Sequence, residues 1–307
     1  MSQLQSRAGM TRPVPLASLG ASPLNGQRIM FTSPRQYACK LASKLVEKGA
    51  RPIWLPGVDA TSLTDPVHQQ VLQMAAVDWE RYTHIAFTSR NGINAFLDTL
   101  EAHYGSDQAL AKLRNSSSRT TFCALGADAE LLHSAGIMDV LTPQEASTQG
   151  LVRELQSRGE AEGARVLCPV PLVTGGLTEP QVVPRFLAGL QAAGAEAVRV
   201  CAYETRPGSA PHACKAERQM LCNGSIHALA FTSTAEVEGL ALAVGGKKAL
   251  QDMLRARNPV LAAHGPYTAA GVSDFLGLEV GVISQEFYSF DGLVQALVEA
   301  MGAGRRL

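Results

Sequence analysis

The chain has no surplus of charge of either sign: 27 Lys and Arg face 27 Asp and Glu among its 307 residues. A protein that grips nucleic acid through phosphates needs a basic excess or a basic stripe. Neither is present, so nucleic acid is excluded as a partner, and any positive potential for an anionic ligand must be local. Metal-ligand spacing is also missing. The six cysteines (Cys39, Cys123, Cys168, Cys201, Cys214, Cys222) contain no CxxC pair, and the seven histidines no HxxxH or HExxH. His212-Ala213-Cys214 stands alone and completes no ligand set. No metal is expected, and the cysteines read as reduced thiols of a reducing compartment. No apolar run approaches the ~20 residues of a membrane helix, so no membrane partner is expected. Residues 1–46 contain no Asp or Glu, and the first part is rich in Ser, Ala and Arg. That is the flavour of an organelle transit peptide, but a disordered tail over 1–25 explains it equally. The expected compartment is a plastid stroma or the cytoplasm. A Ser-His-Asp spacing, a Walker loop and a Rossmann glycine fingerprint are all absent. Val173-Thr174-Gly175-Gly176-Leu177 has no lysine after its glycines and reads as a loop.

What is there is ample material for buried cores, with 46% apolar and 18% charged residues, in a chain long enough for two domains. Asn25-Gly26 is a turn signal, followed by a short strand at 28–31 that Pro34 ends. Residues 36–48 carry Tyr37, Ala38, Leu41, Leu45 and Val46 on one side of a helix, and Gly49 caps it. Pro52–Leu55 is a second strand, ended by Pro56-Gly57. Short connections make this a parallel β-α-β unit. The pattern recurs in a strand at 165–168, a helix at 180–193 with Val182, Val183, Phe186, Leu187 and Leu190, a Gly194 cap, and a strand at 197–200. The opening glycines, Gly26 and Gly163, stand 137 residues apart. Three further landmarks repeat in the same order. Ala86-Phe87-Thr88-Ser89 matches Ala230-Phe231-Thr232-Ser233, Gly126 matches Gly265, and Ser147-Thr148-Gln149-Gly150-Leu151 matches Ser289-Phe290-Asp291-Gly292-Leu293. An internal duplication of α/β halves is the economical reading.

Each Phe-Thr-Ser ends an apolar strand just before a helix, where open parallel sheets bind ligands. Thr88, Ser89, Thr232 and Ser233 are therefore candidate site residues, although plain helix capping also accounts for them. Gly265-Pro266-Tyr267-Thr268 is a second strand-to-helix turn, in which Gly265 lets backbone approach a ligand and Thr268 can cap. Its counterpart has Ala129 in place of the hydroxyl. Arg35 and Arg90 follow the strand-end tripeptides, placed to meet carboxylates or solvent. Tyr203 closes an apolar strand before the break at Pro207-Gly208, where a phenol serves as a wedge between domains or as a proton donor.

Taken together, residues 25–300 resemble the uroporphyrinogen-III synthase family. The resemblance rests on an ordered set. It runs through Phe87-Thr88-Ser89 with Gly92 and Phe96, Pro143 with Ser147 and Leu151, and Gly194-Ala195 leading to Tyr203-Glu204-Thr205. It continues through Phe231-Thr232-Ser233 with Val237, Gly265-x-x-Thr268-Ala269, and Gly277-Leu278-x-Val280. The chain departs from the pattern at Thr32-Ser33-Pro34, where Thr-Arg-Pro is frequent, and at Ala129. It also lacks a basic residue near Val182-Val183 and has a longer 172–180 loop.

The resemblance implies two flavodoxin-like, doubly wound α/β domains with parallel sheets, joined by a two-stranded linker. One domain would comprise 26–57 and 206–307, the other 58–205. It also implies cyclisation of hydroxymethylbilane, a linear tetrapyrrole with eight carboxylates, with loss of water and inversion of the last pyrrole ring. Tyr203 would be the proton donor, and Thr88, Ser89, Arg90, Thr232, Ser233, Gly265 and Thr268 would hold the substrate. No cofactor is implied, and a monomer is expected. A two-lobed module that binds a tetrapyrrole or another small molecule without catalysis is the alternative.

Overall fold

The structure is a computed structural model that describes residues 22–115, 120–208, 213–286 and 289–302. The chain forms β1 (Arg28–Phe31), α1 (Arg35–Glu47), β2 (Arg51–Trp54), β3 (Val58–Ser62), α2 (Pro66–Val77), β4 (His84–Phe87), α3 (Arg90–Tyr104), α4 (Ser106–Asn115), β5 (Thr121–Ala124), α5 (Ala129–Ser134), β6 (Val140–Leu141) and α6 (Thr148–Ser157). It continues with β7 (Arg165–Val173), α7 (Val182–Ala192), β8 (Glu196–Pro207), α8 (Lys215–Cys222), β9 (Ala228–Phe231), α9 (Thr234–Ala243), α10 (Lys247–Arg257), β10 (Val260–Ala263), α11 (Pro266–Leu276), β11 (Val282–Ile283) and α12 (Phe290–Met301).

Two sheets result. One has the order β11-β10-β9-β1-β2 and is parallel throughout. The other has the order β3-β8-β7-β4-β5-β6, parallel except for β3. Setting β3 aside, both share one spatial arrangement, in which a β-α-β unit flanks three further strands. In the first sheet that unit, β1-α1-β2, opens the chain. In the second the corresponding unit, β7-α7-β8, comes last. The second sheet is a circular permutation of the first, which is how a duplicated sequence produces halves that exchange their opening units. The α/β class with two parallel sheets is the one expected.

Period-2 alternation puts apolar side chains on both faces of each sheet. In the second sheet Ile85 and Phe87 face a core under α2, α3 and α5, while Ala86 faces a separate core under α6 and α7. In the first sheet Leu229 and Phe231 pack under α9, α10 and α11, and Ala228 and Ala230 under α1 and α12. Each lobe is thus a three-layer sandwich. Helix faces follow the sequence with two exceptions. Val46 and Val182 are 57% and 51% exposed, because the buried stripes run through Leu41 and Leu45 and through Val183, Phe186 and Leu190. Of the expected tail, residues 1–21 lie outside the described residues. Leu24 is fully buried and its N–H donates to Lys48 O, so packed chain begins ahead of Gly26.

The lobes are joined where β3 pairs antiparallel with the last five residues of β8, Val58 opposite Pro207 through Ser62 opposite Tyr203. Glu204 pins this ladder, accepting from Thr64 Oγ1 at 3.0 Å and from Thr174 Oγ1 at 2.6 Å. Beside the crossing, α9 of the first lobe presses its backbone onto Gly57. A side chain at Gly57 would overlap the Glu236 carbonyl, and one at Gly239 would overlap the Gly57 carbonyl. Gly57 has no room to retreat, since its N–H donates to Thr32 O and its carbonyl accepts from Gly208 N, both at 2.9 Å. Gly239→Ala should therefore destabilise the protein by at least about 3 kcal/mol in denaturant unfolding. Gly281→Ala, with nothing within 4 Å of the added methyl, should change stability by no more than about 0.5 kcal/mol.

Candidate functional site

The carboxyl ends of β1, β4, β7 and β9 converge on the crossing, and a cavity of about 280 Å³ lies between the lobes there. Its walls include Thr88, Ser89 and Tyr203 from the second lobe and Tyr37 and Ser233 from the first. Two inter-lobe contacts flank it. On one side the α1 amino end meets that of α3, with Gln36 Nε2 donating to Asn91 Oδ1 at 3.4 Å. On the other, the connection after β7 reaches across to α9, and Thr178 N–H donates to Glu238 Oε2 at 2.8 Å.

Tyr203 is the central polar group. Its hydroxyl lies 3.0 Å from Ser89 Oγ. Ser89 is the N-cap of α3 and already accepts from Gly92 N–H at 3.2 Å, so its own proton is free to point at the phenol oxygen. Burial pushes the Tyr203 pKa above its usual value; the Ser89 hydrogen bond opposes this, and Tyr37 and Asp128 add to it. The phenol therefore keeps its proton across the physiological range. Its side chain lines the cavity between the lobes.

The two Phe-Thr-Ser turns differ. Ser89 caps its helix through its side chain, whereas Ser233 does not. In the first lobe the donors turn inward onto Glu236, which is fully buried. Its carboxylate accepts from Thr32 Oγ1 at 2.7 Å, Thr232 N at 2.8 Å, Ser233 Oγ at 3.2 Å and the Thr232 hydroxyl. This knot ties the ends of β1 and β9 to α9. Burial pushes the Glu236 pKa up, and the hydrogen bonds from Thr232, Thr32 and Ser233 oppose that without cancelling it.

The remaining expected site residues, Arg90, Thr232, Gly265 and Thr268, do not line the cavity between the lobes. Arg90 Nε lies 3.2 Å from Asp128 Oδ1, an ion pair whose angle does not make an aligned hydrogen bond. Burial raises the Asp128 pKa against the opposing pull of Arg90. Thr232 lines a second cavity together with His264. Thr268 Oγ1 donates to Thr232 O at 3.4 Å, placing Thr268 behind the wall. Gly265, the N-cap residue of α11, has extended backbone with φ −173°, whereas its repeat counterpart Gly126 has φ +52°. The aligned glycines thus serve different turns. Arg35 stacks over the Trp54 ring at 5.0 Å. His212 lies outside the described residues.

Three participants were not singled out from the sequence. Glu236 was readable, since Ser233-x-x-Glu236 has capping-box spacing, but its longest-range donor, Thr32, comes from 204 positions away. Tyr37 looked like core because it continues the α1 stripe, yet it is only half-buried and lines two cavities. Asp128 had no local signal.

Comparison with known proteins agrees with this architecture. The family model described as uroporphyrinogen-III synthase HemD matches residues 40–295. A uroporphyrinogen-III synthase of Chlorobaculum parvum is 23% identical over 276 residues, covering 89% of this chain and 98% of the relative. A porphyrin biosynthesis protein HemD of Ruminiclostridium josui is 25% identical over 221 residues, 71% of this chain and 39% of that longer protein. Among solved structures, a mutant uroporphyrinogen III synthase of Thermus thermophilus shares the fold with a TM-score of 0.59 at 17% identity, covering 90% of this chain and 98% of the other.

Removing the buried carboxylate should be costly. Glu236→Ala leaves several buried donors without an acceptor and should destabilise by about 2–4 kcal/mol, whereas Glu236→Gln keeps an acceptor and should lose much less. The raised carboxyl pKa gives a sign. Its contribution is fully present below the ordinary glutamate pKa of about 4.3 and is lost as pH rises through the folded-state value. Unfolding free energy measured against pH should carry that falling slope in the wild type and lack it in Glu236→Gln. With the family model spanning well over half of its length, the chain belongs to the uroporphyrinogen-III synthase family.

Proposed function

We propose that this chain is a uroporphyrinogen-III synthase that cyclises hydroxymethylbilane, and that Tyr203 is its proton donor. The observation that carries the residue assignment is the Tyr203 phenol, hydrogen-bonded to Ser89 inside a cavity walled by both lobes. The two lobes of the proposal are 26–57 with 206–307 and 58–205. Both cavity walls come from one chain, which is consistent with a working monomer. The acid-free amino-terminal segment fits either a plastid stroma or the cytoplasm. Among the described residues no helix is long and apolar enough to cross a membrane.

The chemistry asks little of the protein beyond placement. The bond from the terminal hydroxymethyl carbon to its oxygen breaks as the Tyr203 proton moves to that oxygen, and water departs. The pyrrole nitrogen lone pair compensates the carbon, giving an azafulvenium cation. The substituted carbon of the last ring attacks it to form a spiro intermediate. That intermediate fragments on its other side and recloses with the ring inverted, and the proton then lost from the ring carbon, which restores aromaticity, returns to the Tyr203 phenolate. Ser89 donates to the phenol oxygen and steadies the phenolate left behind. Thr88 and Ser233 on the wall, with Thr232, Gly265 and Thr268 behind or beside it, shape the strand-end turns that fold the substrate. Arg90, held by Asp128 in the free protein, supplies a cation for a substrate carboxylate.

Tyr203→Phe keeps the ring and removes only the hydroxyl. It should lower kcat for type III product by roughly 10²-fold, the lower end of general-acid effects, with an almost unchanged thermal midpoint. A full rate in this variant would reduce Tyr203 to a wedge. Because the Tyr203 pKa is raised, the alkaline limb of the wild-type pH–rate profile due to this group should lie above about 10 and disappear in Tyr203→Phe. Activity should survive exhaustive chelation; loss with EDTA and recovery with a divalent ion would contradict the cofactor-free scheme.

A further inference from the structure

The cavity under Tyr203 is one of two that meet at the Tyr37 side chain. The second, about 290 Å³, is lined by Tyr37, Lys40, Thr232, His264, Ser289 and Phe290, all from the first lobe. Its charge is one-sided. α1 carries Lys40 and Lys44 one turn apart on one face, and across from them stands Asp291 in the first turn of α12. Lys44 takes that carboxylate at 2.5 Å. Asp291 is further held by Ser289, whose hydroxyl donates to Oδ2 at 3.0 Å and accepts from the Asp291 N–H at 3.2 Å. Lys40 therefore has no acidic partner among the described residues, and no carboxylate lines the cavity beside it. In a chain whose charges balance to zero, this leaves a local positive potential at the mouth of a cleft.

Size supplies the second half of the argument. Pockets for drug-sized ligands run to about 300–1,000 Å³. A linear tetrapyrrole with eight carboxylates is larger than such ligands, so a cavity of about 280 Å³ takes only part of it. The remainder must extend into neighbouring space, and on the first-lobe side the neighbouring space is the cavity beyond Tyr37.

We propose that this second cavity is a carboxylate subsite of the same binding site, with Lys40 as its counter-charge and Tyr37 as the partition that the substrate chain passes. The proposal rests on the synthase reading above. Lys40 acts in binding and not in the departure of water, so its loss moves KM and leaves kcat alone.

The test is a coupled assay of type III product with hydroxymethylbilane as substrate. Lys40→Met should raise KM roughly fivefold, the scale of a charge pair at a partly exposed site, with kcat within about twofold. Lys40→Arg should restore KM. Lys248→Met removes an equal charge from a lysine 86% exposed on α10 and should leave KM unchanged. Added salt should raise the wild-type KM more steeply than that of Lys40→Met. Thermal melting should give the same midpoint for wild type and Lys40→Met, since Lys40 has no ion-pair partner among the described residues. An unchanged KM in Lys40→Met with normal wild-type turnover would overturn the subsite and leave the synthase reading standing, as would an equal rise in KM in Lys248→Met. No type III product from the wild type would overturn the synthase reading and the subsite with it.

Discussion

The architecture depends on one close approach, the backbone of α9 lying against Gly57 where the chain first crosses between the sheets. Neither Gly57 nor Gly239 tolerates a side chain there, so the helix and the crossing strand meet at backbone distance. Gly57 is further locked by hydrogen bonds to Thr32 and Gly208, one in each direction along the path of the chain. Less than a turn away on α9, Glu236 gathers hydroxyls from the ends of β1 and β9. Helix, two strand ends and the crossing thus form a single block, which fixes the angle from which the first lobe faces the second. The cavity between them, and the approach of Tyr37 toward the side of Tyr203, follow from that angle.

The same geometry accounts for the quietness of the site at the level of motifs. Under the proposed assignment the reaction needs a phenol that keeps its proton, a hydroxyl to support it and a folded path for a large anionic chain. Burial supplies the first and a helix cap the second. Ser89 serves both helix and phenol. Residues with such double roles carry no signature beyond that of an ordinary cap.

How much of this the sequence revealed follows from how local each feature is. The β-α-β units at 28–54 and 165–200 were legible because strand, amphipathic helix and capping glycine all lie within thirty-odd residues. The order of the duplicated landmarks pointed to two similar sheets, and Tyr203, Ser89 and Ser233 were placed at strand ends that do reach the cavity. The rest was hidden where partners are distant or where a residue of an apolar stripe lines the cleft instead of the core. Thr32 and Glu236 are coupled across most of the chain. Tyr37 and Val182 sat in apolar stripes but, near the starts of their helices, line the cleft. The aligned glycines Gly126 and Gly265 differ in backbone state, a difference that residue identity cannot carry.

The permuted order of the two sheets also bears on how the molecule is made. On a ribosome, β1-α1-β2 emerges well before its hydrogen-bonding neighbour β9, which begins at Ala228, roughly 170 residues after β2 ends at Trp54. The second sheet, by contrast, is complete once β8 ends at Pro207. The later-starting lobe can therefore close during translation while the opening unit waits with one strand edge and one helix face uncovered. Such an exposed edge pairs readily with other chains, so the β1-α1-β2 unit carries more risk of wrong pairing during synthesis than the strands of the second sheet.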